Sequence, residues 1–242
     1  MHRSLRAIPY AVIGAALAAC SNSSGPAVGF ECLGDTLPTT APAIINMTGQ
    51  IKKNVLAPTP LGGAYVFAFR TGDTTTLAAD TSSTPGFYAL TITTGGTPVN
   101  GYVRVSDSAH ITTFAYPARP LAADDSVNVL MVTPAEFAAL AGAAGITPVA
   151  GDGFMGVIVA NCQGAPLAGA HVTTTPAGTV LYNGLGGVPS SSATSTAADG
   201  VAYIANVAAG NVTVSATASG HTLRSHIVNA RPDVITLTQI RP

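Results

Sequence analysis

A chain of 242 residues is long enough for one or two domains of ordinary size. Only 9% of its residues are charged and its net charge is −1, so it has no basic surplus to neutralise phosphates, and no nucleic-acid partner is expected. Its 26 Gly and 17 Pro suit strands and turns, while 6% aromatics and no Trp weaken a sugar-stacking role.

The first six residues, Met1 to Arg6, contain Arg3 and Arg6 and no acid. An apolar run follows from Ala7 to Ala19. It is too short for an ordinary membrane-spanning helix and fits the apolar core of a signal peptide. Pro9 within the run, and Ser, Asn and Gly after it, count against a buried core helix. The run ends in Leu17-Ala18-Ala19-Cys20. That ending resembles the lipobox of bacterial lipoproteins. The resemblance implies a signal peptide over residues 1–19, cleavage after Ala19, and lipidation of Cys20. It implies an extracytoplasmic protein whose membrane partner is reached through that lipid. Ser21 points to the outer membrane if the cell has one. An ordinary secretory signal cleaved without lipidation is the alternative.

Residues 20–43 are expected to form the lipidated cysteine and a tether, since Ser21 to Pro26 is polar and turn-forming and Pro38 and Pro42 resist helix. With Cys20 lipidated, Cys32 and Cys162 remain. An even pair in an oxidising compartment is a disulfide candidate. The alternative is two unrelated small core residues. Phe30 and Cys32 suggest that the middle of the tether is pinned.

A first β segment is expected over residues 44–132. Ala64 to Phe69 alternates aromatic and small residues, as a half-buried strand does. Phe87 to Ile92, Gly101 to Val105 and Asp125 to Val132 are further strands. Residues 133–152 form a helical linker. Thr133 is a good N-cap, Pro134 suits the first helical position, and Glu136 completes a capping box. Val132 and Phe137 stand at the staple positions, and Gly145 ends the helix. A second β segment covers residues 153–242. Its strands are Met155 to Ala160, Ala170 to Thr174, Val201 to Ala205, Asn211 to Ala216 and Val234 to Ile240. Short strands punctuated by turn residues indicate a sandwich.

The second segment also carries a motif series. Gly156-Val157-Ile158-Val159 is followed by Gly164-Ala165-Pro166-Leu167-Ala168-Gly169-Ala170-His171-Val172. After a variable loop come Thr194 to Ile204, with Asp199-Gly200 as a hairpin turn, and Asn206 to Val214. The series resembles the carboxypeptidase regulatory-like domain, a transthyretin-like sandwich related to surface-adhesin repeats. The first segment is similar in diverged form. Gly49-Gln50-Ile51 parallels Gly156-Val157-Ile158, Pro60 to Val66 parallels Pro166 to Val172, and Ser83-Thr84-Pro85-Gly86 stands where the Asp-Gly turn would be. The resemblance implies an all-β chain: two tandem transthyretin-like (prealbumin-like) β-sandwiches joined by one short helix. It gives no activity by itself.

Candidate chemistry is sparse. His110, His171, His221 and His226 have no compact ligand spacing, so no metal and no cofactor is expected. An iron site of Tyr182, Tyr203, His221 and His226, as some relatives of the fold hold, has no supporting spacing. Ser190-Ser191-Ser192 lacks a nucleophile elbow. Asp124-Asp125, Asp152 and Asp199 suit turns, and no acid–base pair stands out. A Lys53–Asn128 isopeptide, as related adhesin repeats form, is conceivable between early and late strands. No catalytic residue is assigned. The expected function is a non-enzymatic, lipid-anchored cell-envelope lipoprotein acting as a binding or structural module. Its partner is an unknown envelope protein or glycan, and the loop from Thr175 to Ala193 is the expected contact surface. The alternatives are a carbohydrate-binding module, with Tyr182 or Tyr203 as the stacking ring, and a metal-dependent enzyme.

Overall fold

The computed structural model describes residues 27–184 and 186–242. The expected signal peptide and Cys20 lie outside the described residues. The first lobe runs β1 (Ile44–Lys53), β2 (Thr59–Pro60), β3 (Tyr65–Arg70), β4 (Thr76–Thr81), β5 (Phe87–Thr93), β6 (Gly101–Ser106), β7 (Thr113–Tyr116), β8 (Asp125–Ser126) and β9 (Val129–Met131). Then comes α1 (Pro134–Ala143), the only α-helix among the described residues. The second lobe runs β10 (Gly153–Val159), β11 (His171–Thr175), β12 (Thr179–Asn183), β13 (Pro189–Ser190), β14 (Val201–Val207), β15 (Gly210–Ala218), β16 (His221–Thr222), β17 (His226–Ala230) and β18 (Ile235–Ile240).

Both lobes are built on one plan. In the first, β1 pairs antiparallel with β5 and parallel with β9. In the second, β10 pairs antiparallel with β14 and parallel with β18. The facing layers correspond too: β6 lies between β3 and β7, as β15 lies between β11 and β17. Period-two burial drives the layers together. Ile45 and Met47 point inward from β1 while Ile44, Asn46 and Thr48 face out. Val212, Val214 and Ala216 do the same from β15.

The repetition extends to single atoms. In the first lobe, Ile51 N donates to Gly86 O at 2.8 Å and Leu61 N to Ile51 O at 2.9 Å. In the second, Val159 N donates to Gly200 O and Leu167 N to Val159 O, both at 2.8 Å. Ser82 Oγ donates to Leu61 O at 2.8 Å and accepts from Ala64 N at 3.0 Å. Thr196 Oγ1 donates to Leu167 O at 2.6 Å and accepts from Ala170 N at 2.9 Å. Gly86 (φ 81°) and Gly200 (φ 68°) occupy the same place in each knot. A Cβ on either would lie 2.4 or 2.5 Å from the carbonyl oxygen of Ile51 or Val159, so both the backbone angle and the space demand Gly. The knot aligns Ile51 with Val159, one residue along from the sequence parallel of Ile51 with Ile158.

The sandwiches are not separate beads. The edge strand β18 of the second lobe pairs parallel with the edge strand β7 of the first, from Ile235↔Thr113 to Thr238↔Tyr116. A nine-stranded sheet results, ordered β13-β12-β14-β10-β18-β7-β6-β3-β4. Alternation then assigns its two faces. Phe114 and Tyr116 belong to the second core with Met155, Val157 and Ile204, whereas Ala115 belongs to the first core with Val66, Val103 and Val105. The β1 layer therefore covers one face of the shared sheet at one end. The β15 layer covers the opposite face at the other end.

Each lobe leaves the back of its share of the sheet to be covered differently. In the second lobe α1 does so, with Phe137 edge-on to Phe154 at 4.9 Å between ring centroids. The helix starts as its sequence requires: Thr133 Oγ1 accepts from Glu136 N at 3.2 Å, and Glu136 Oε2 accepts from Thr133 N at 2.9 Å. In the first lobe the back carries Phe67, Phe69, Tyr102 and Phe114, with Arg104 and Arg231 laid over the rings at 4.0–5.3 Å. The structure thus decides which face of the alternating run in β3 is core. Its small residues Val66 and Ala68 are in the core, and its aromatics face away from it.

A shared sheet predicts shared unfolding. Ile204→Ala, in the second core, should cost about 2–5 kcal/mol. Amide signals of Val66 and Val214, one in each lobe, should report the same lowered denaturation midpoint. Two separate midpoints would show independent lobes.

Candidate functional site

Cys32 and Cys162 form a disulfide with a Cα–Cα distance of 5.8 Å. The segment around it is fixed to the second lobe. Phe30 is 4% exposed within that lobe's core, and Cys162 N donates to Gly29 O at 2.9 Å. The far end of the expected tether is held as well, since Ala41 N donates to Gly96 O and Thr94 N to Ala43 O, both at 3.0 Å. Of the span 20–43, then, residues 29–32 and 41–43 are part of the folded body. Arg119 closes the disulfide end, donating to Pro242 O at 2.9 Å. Burial, with Arg224 and Arg241 nearby, lowers its pKa.

The histidines are dispersed. His110 Nδ1 lies 2.8 Å from Asp107 Oδ2. Burial works against the Asp107 carboxylate, but the N–H groups of Ala109 and His110 and the His110 ring hold its pKa below the usual range. His171 is exposed on β11. His221 packs on Phe30 at 4.6 Å between centroids. His226 sits on a different strand from His221, with Nδ1 2.8 Å from Thr238 Oγ1, and burial pushes its imidazole below its ordinary pKa. Among the described residues no three His, Cys, Asp or Glu side chains converge as a metal site would need.

The other candidates have local structural partners. Asp124 accepts from Asn46 N at 2.7 Å, and Asp125 from Ser126 N at 2.8 Å. Asp199 holds Val201 N at 3.0 Å and Asn183 Nδ2 at 2.6 Å. Ser190 and Ser192 hydrogen-bond each other at 2.9 Å. Tyr182 is only 6% exposed and its hydroxyl accepts from Val172 N, so it offers no stacking face. Tyr203 lines the space under α1 and is not a free platform either. Asn128 faces Gln50, accepting its N–H at 2.9 Å, while Lys53 pairs with Met131, three residues further along. About 10 Å of strand separates the two positions, which rules out the isopeptide. The expected contact loop 175–193 contains two short strands, since β12 pairs with β14 and β13 with β12.

Concavities remain among the described residues, one of them, of about 290 Å³, lined by Ile111, Pro148, Phe154 and Asp233 among others. A cavity of about 90 Å³ beneath α1 is apolar, walled by Phe137, Leu140, Phe154, Leu181, Tyr203 and Leu237 among others. A wider groove of about 550 Å³, of mixed polar and apolar lining, lies on the outer face of the first lobe, among Thr48, Asp80, Thr81, Phe87, Ser126 and Asn128. No sequence signal marked this groove, because its walls come from four separate strands and their flanks.

No family model and no curated protein matches the chain. Among solved structures it is similar to the Bacillus anthracis TIE protein, at 11% identity and TM-score 0.27, covering 81% of this chain and 33% of that one. It is similar to a mutant of the Lactobacillus rhamnosus GG shaft pilin SpaA, at 10% identity and TM-score 0.25, covering 82% and 98% of the two chains. The minor pilin GBS52 of Streptococcus agalactiae gives 10% identity, TM-score 0.25, and 81% and 95% coverage. The chain spans about a third of the TIE protein's length. At TM-scores this low the superpositions carry no functional argument, and the two-lobed all-β sandwich fold rests on its own strand pairings.

Two outcomes follow from this geometry. Replacing both Cys32 and Cys162 by Ser, which opens a loop with a sequence separation of 130, should lower stability by about 5 kcal/mol in the chain-entropy account; urea unfolding of the oxidised parent and of the variant measures it. His226 titrates at about 6.5 when unfolded and lower when folded. Its effect is absent above that pH, and stability falls as pH drops through it, because the unfolded chain takes a proton that the native state refuses. His226→Gln should flatten that fall in denaturation midpoints taken from pH 7.5 down to about pH 5.

Proposed function

We propose that the protein is a lipid-anchored, extracytoplasmic, non-enzymatic module of two carboxypeptidase regulatory-like, transthyretin-like units, with a binding or structural role at the cell envelope. The observation that carries this reading is the Cys32–Cys162 bridge. Such bridges persist in oxidising compartments. It also leaves Cys20, in Leu17-Ala18-Ala19-Cys20, as the one cysteine available for lipid. The knot that recurs around Gly86 and Gly200 supports two copies of one unit.

The bridge also bears on how such an anchor would work. From Cys20 to Gly29 is nine residues, a reach of at most about 30 Å. A lipid on Cys20 would therefore hold the disulfide end of the second lobe close to the bilayer. Several acyl chains are needed for firm retention, since one gives only reversible binding.

Cys20→Ala tests the anchor. The variant should move from the membrane pellet to the soluble envelope fraction, with its melting temperature unchanged. Retention of the variant in the pellet would refute lipid anchoring at this residue.

A further inference from the structure

We propose that the mixed polar and apolar groove on the first lobe is a binding site for a neutral saccharide. The inference rests on the binding-module reading above and names the ligand class of that module.

Strand register lays the site out. Ser126, Thr48 and Ala89 stand side by side across β8, β1 and β5. In the next row stand Asn128, Gln50 and Phe87. Asp80, Thr81 and Ser83, at and beyond the end of β4, complete the far wall. Ala89 has only a methyl group, so the floor is low beside the Phe87 ring. That ring is 57% exposed, a costly arrangement for an aromatic side chain that nothing covers.

The polar groups are fixed and still have capacity. Asp80 Oδ1 accepts from Thr81 N at 2.7 Å and Oδ2 from Ala89 N at 2.8 Å, which locks the carboxylate and leaves each oxygen a second lone pair. Asn128 is locked through Oδ1 on Gln50 N, and its Nδ2 donates to nothing among the described residues. The hydroxyls of Thr48, Thr81 and Ser126 likewise have no hydrogen bond among the described residues. The groove thus offers a fixed acceptor, a fixed donor and hydroxyls able to serve as either, beside one apolar ring. A pyranose matches this set, with hydroxyls at its rim and a C–H face to lay on Phe87.

Two features exclude other occupants. The single charge in the groove is the Asp80 carboxylate, so an anionic ligand is repelled. The edge of β5 is closed to a partner strand: Ala89 N is taken by Asp80, and Phe87 N and O are both taken by Ser83. Side chains, not the sheet edge, are what the groove presents.

Titration of the ¹⁵N-labelled whole chain, in a detergent without a sugar headgroup, with maltose, cellobiose and lactose tests the site. At least one disaccharide should shift the amides of Thr48, Phe87 and Asn128 with a millimolar Kd. Phe87→Ala should weaken it roughly tenfold, while Tyr65→Ala, an exposed aromatic outside the groove, should leave it unchanged. Glucuronate should shift none of the three. The proposal is overturned if all three disaccharides fail, if Phe87→Ala binds as well as the parent, or if glucuronate binds more tightly than they do. Because the measurement needs no membrane, failure here leaves the Cys20 anchor standing, and failure of the anchor leaves the groove standing.

Discussion

The parallel pairing of β18 with β7 is the constraint on which the architecture depends. Without it the chain would be two sandwiches on a string, free to move about residues 133–152. With it, β18 is interior to a nine-stranded sheet and hydrogen-bonded on both sides. Two edges that would otherwise be open to other strands close on each other. The opposite placement of the two covering layers follows, because alternate residues of one strand, Phe114 and Ala115, enter different cores. Two backs of the sheet are then left uncovered, and α1 and the arginine–aromatic row each occupy one.

Within each lobe the organising element is the hydroxyl knot. Ser82 and Thr196 each bond a carbonyl and an N–H across the crossover, and the adjoining turn admits only Gly. Such buried, fully paired polar groups set register more than they add stability. This explains how two lobes with little common sequence keep one topology. Everything outside the knot has room to diverge. The strand that follows β3 or β11 does so: β4 pairs with β3 in the first lobe, whereas β12 pairs with β14 in the second. The groove lies at this divergence, since Asp80 and Thr81 come from β4.

The disulfide ties the N-terminal segment to this body. Phe30 fills the second core, and Cys32 bridges to Cys162 within the turn that follows β10. Residues far apart in sequence thus share one end of the second lobe with Arg119 and Pro242. Two stretches of a segment that composition marks as spacer, residues 29–32 and 41–43, are structural.

Local chemistry was legible in the chain. The capping box of α1, the Gly turns of the knots and most long strands follow from side-chain chemistry within a few residues, so sequence alone determined them. The short strands β13 and β16 left no pattern, because two residues have no period to read. The β12 strand hid in a Gly- and Ser-rich stretch, its pairing decided by β14 rather than by its own composition. In β3, period two was evident, but which face was core was not. That depended on which layer would cover it, and bulky aromatics lost to Val66 and Ala68 because Arg104 and Arg231 cover the rings on the other side. The fusion of the lobes and the groove were decided by tertiary structure alone. The fusion joins β7 to β18 and the groove gathers residues from β1, β4, β5 and β8, and no local signal specifies which strand edges or faces will meet.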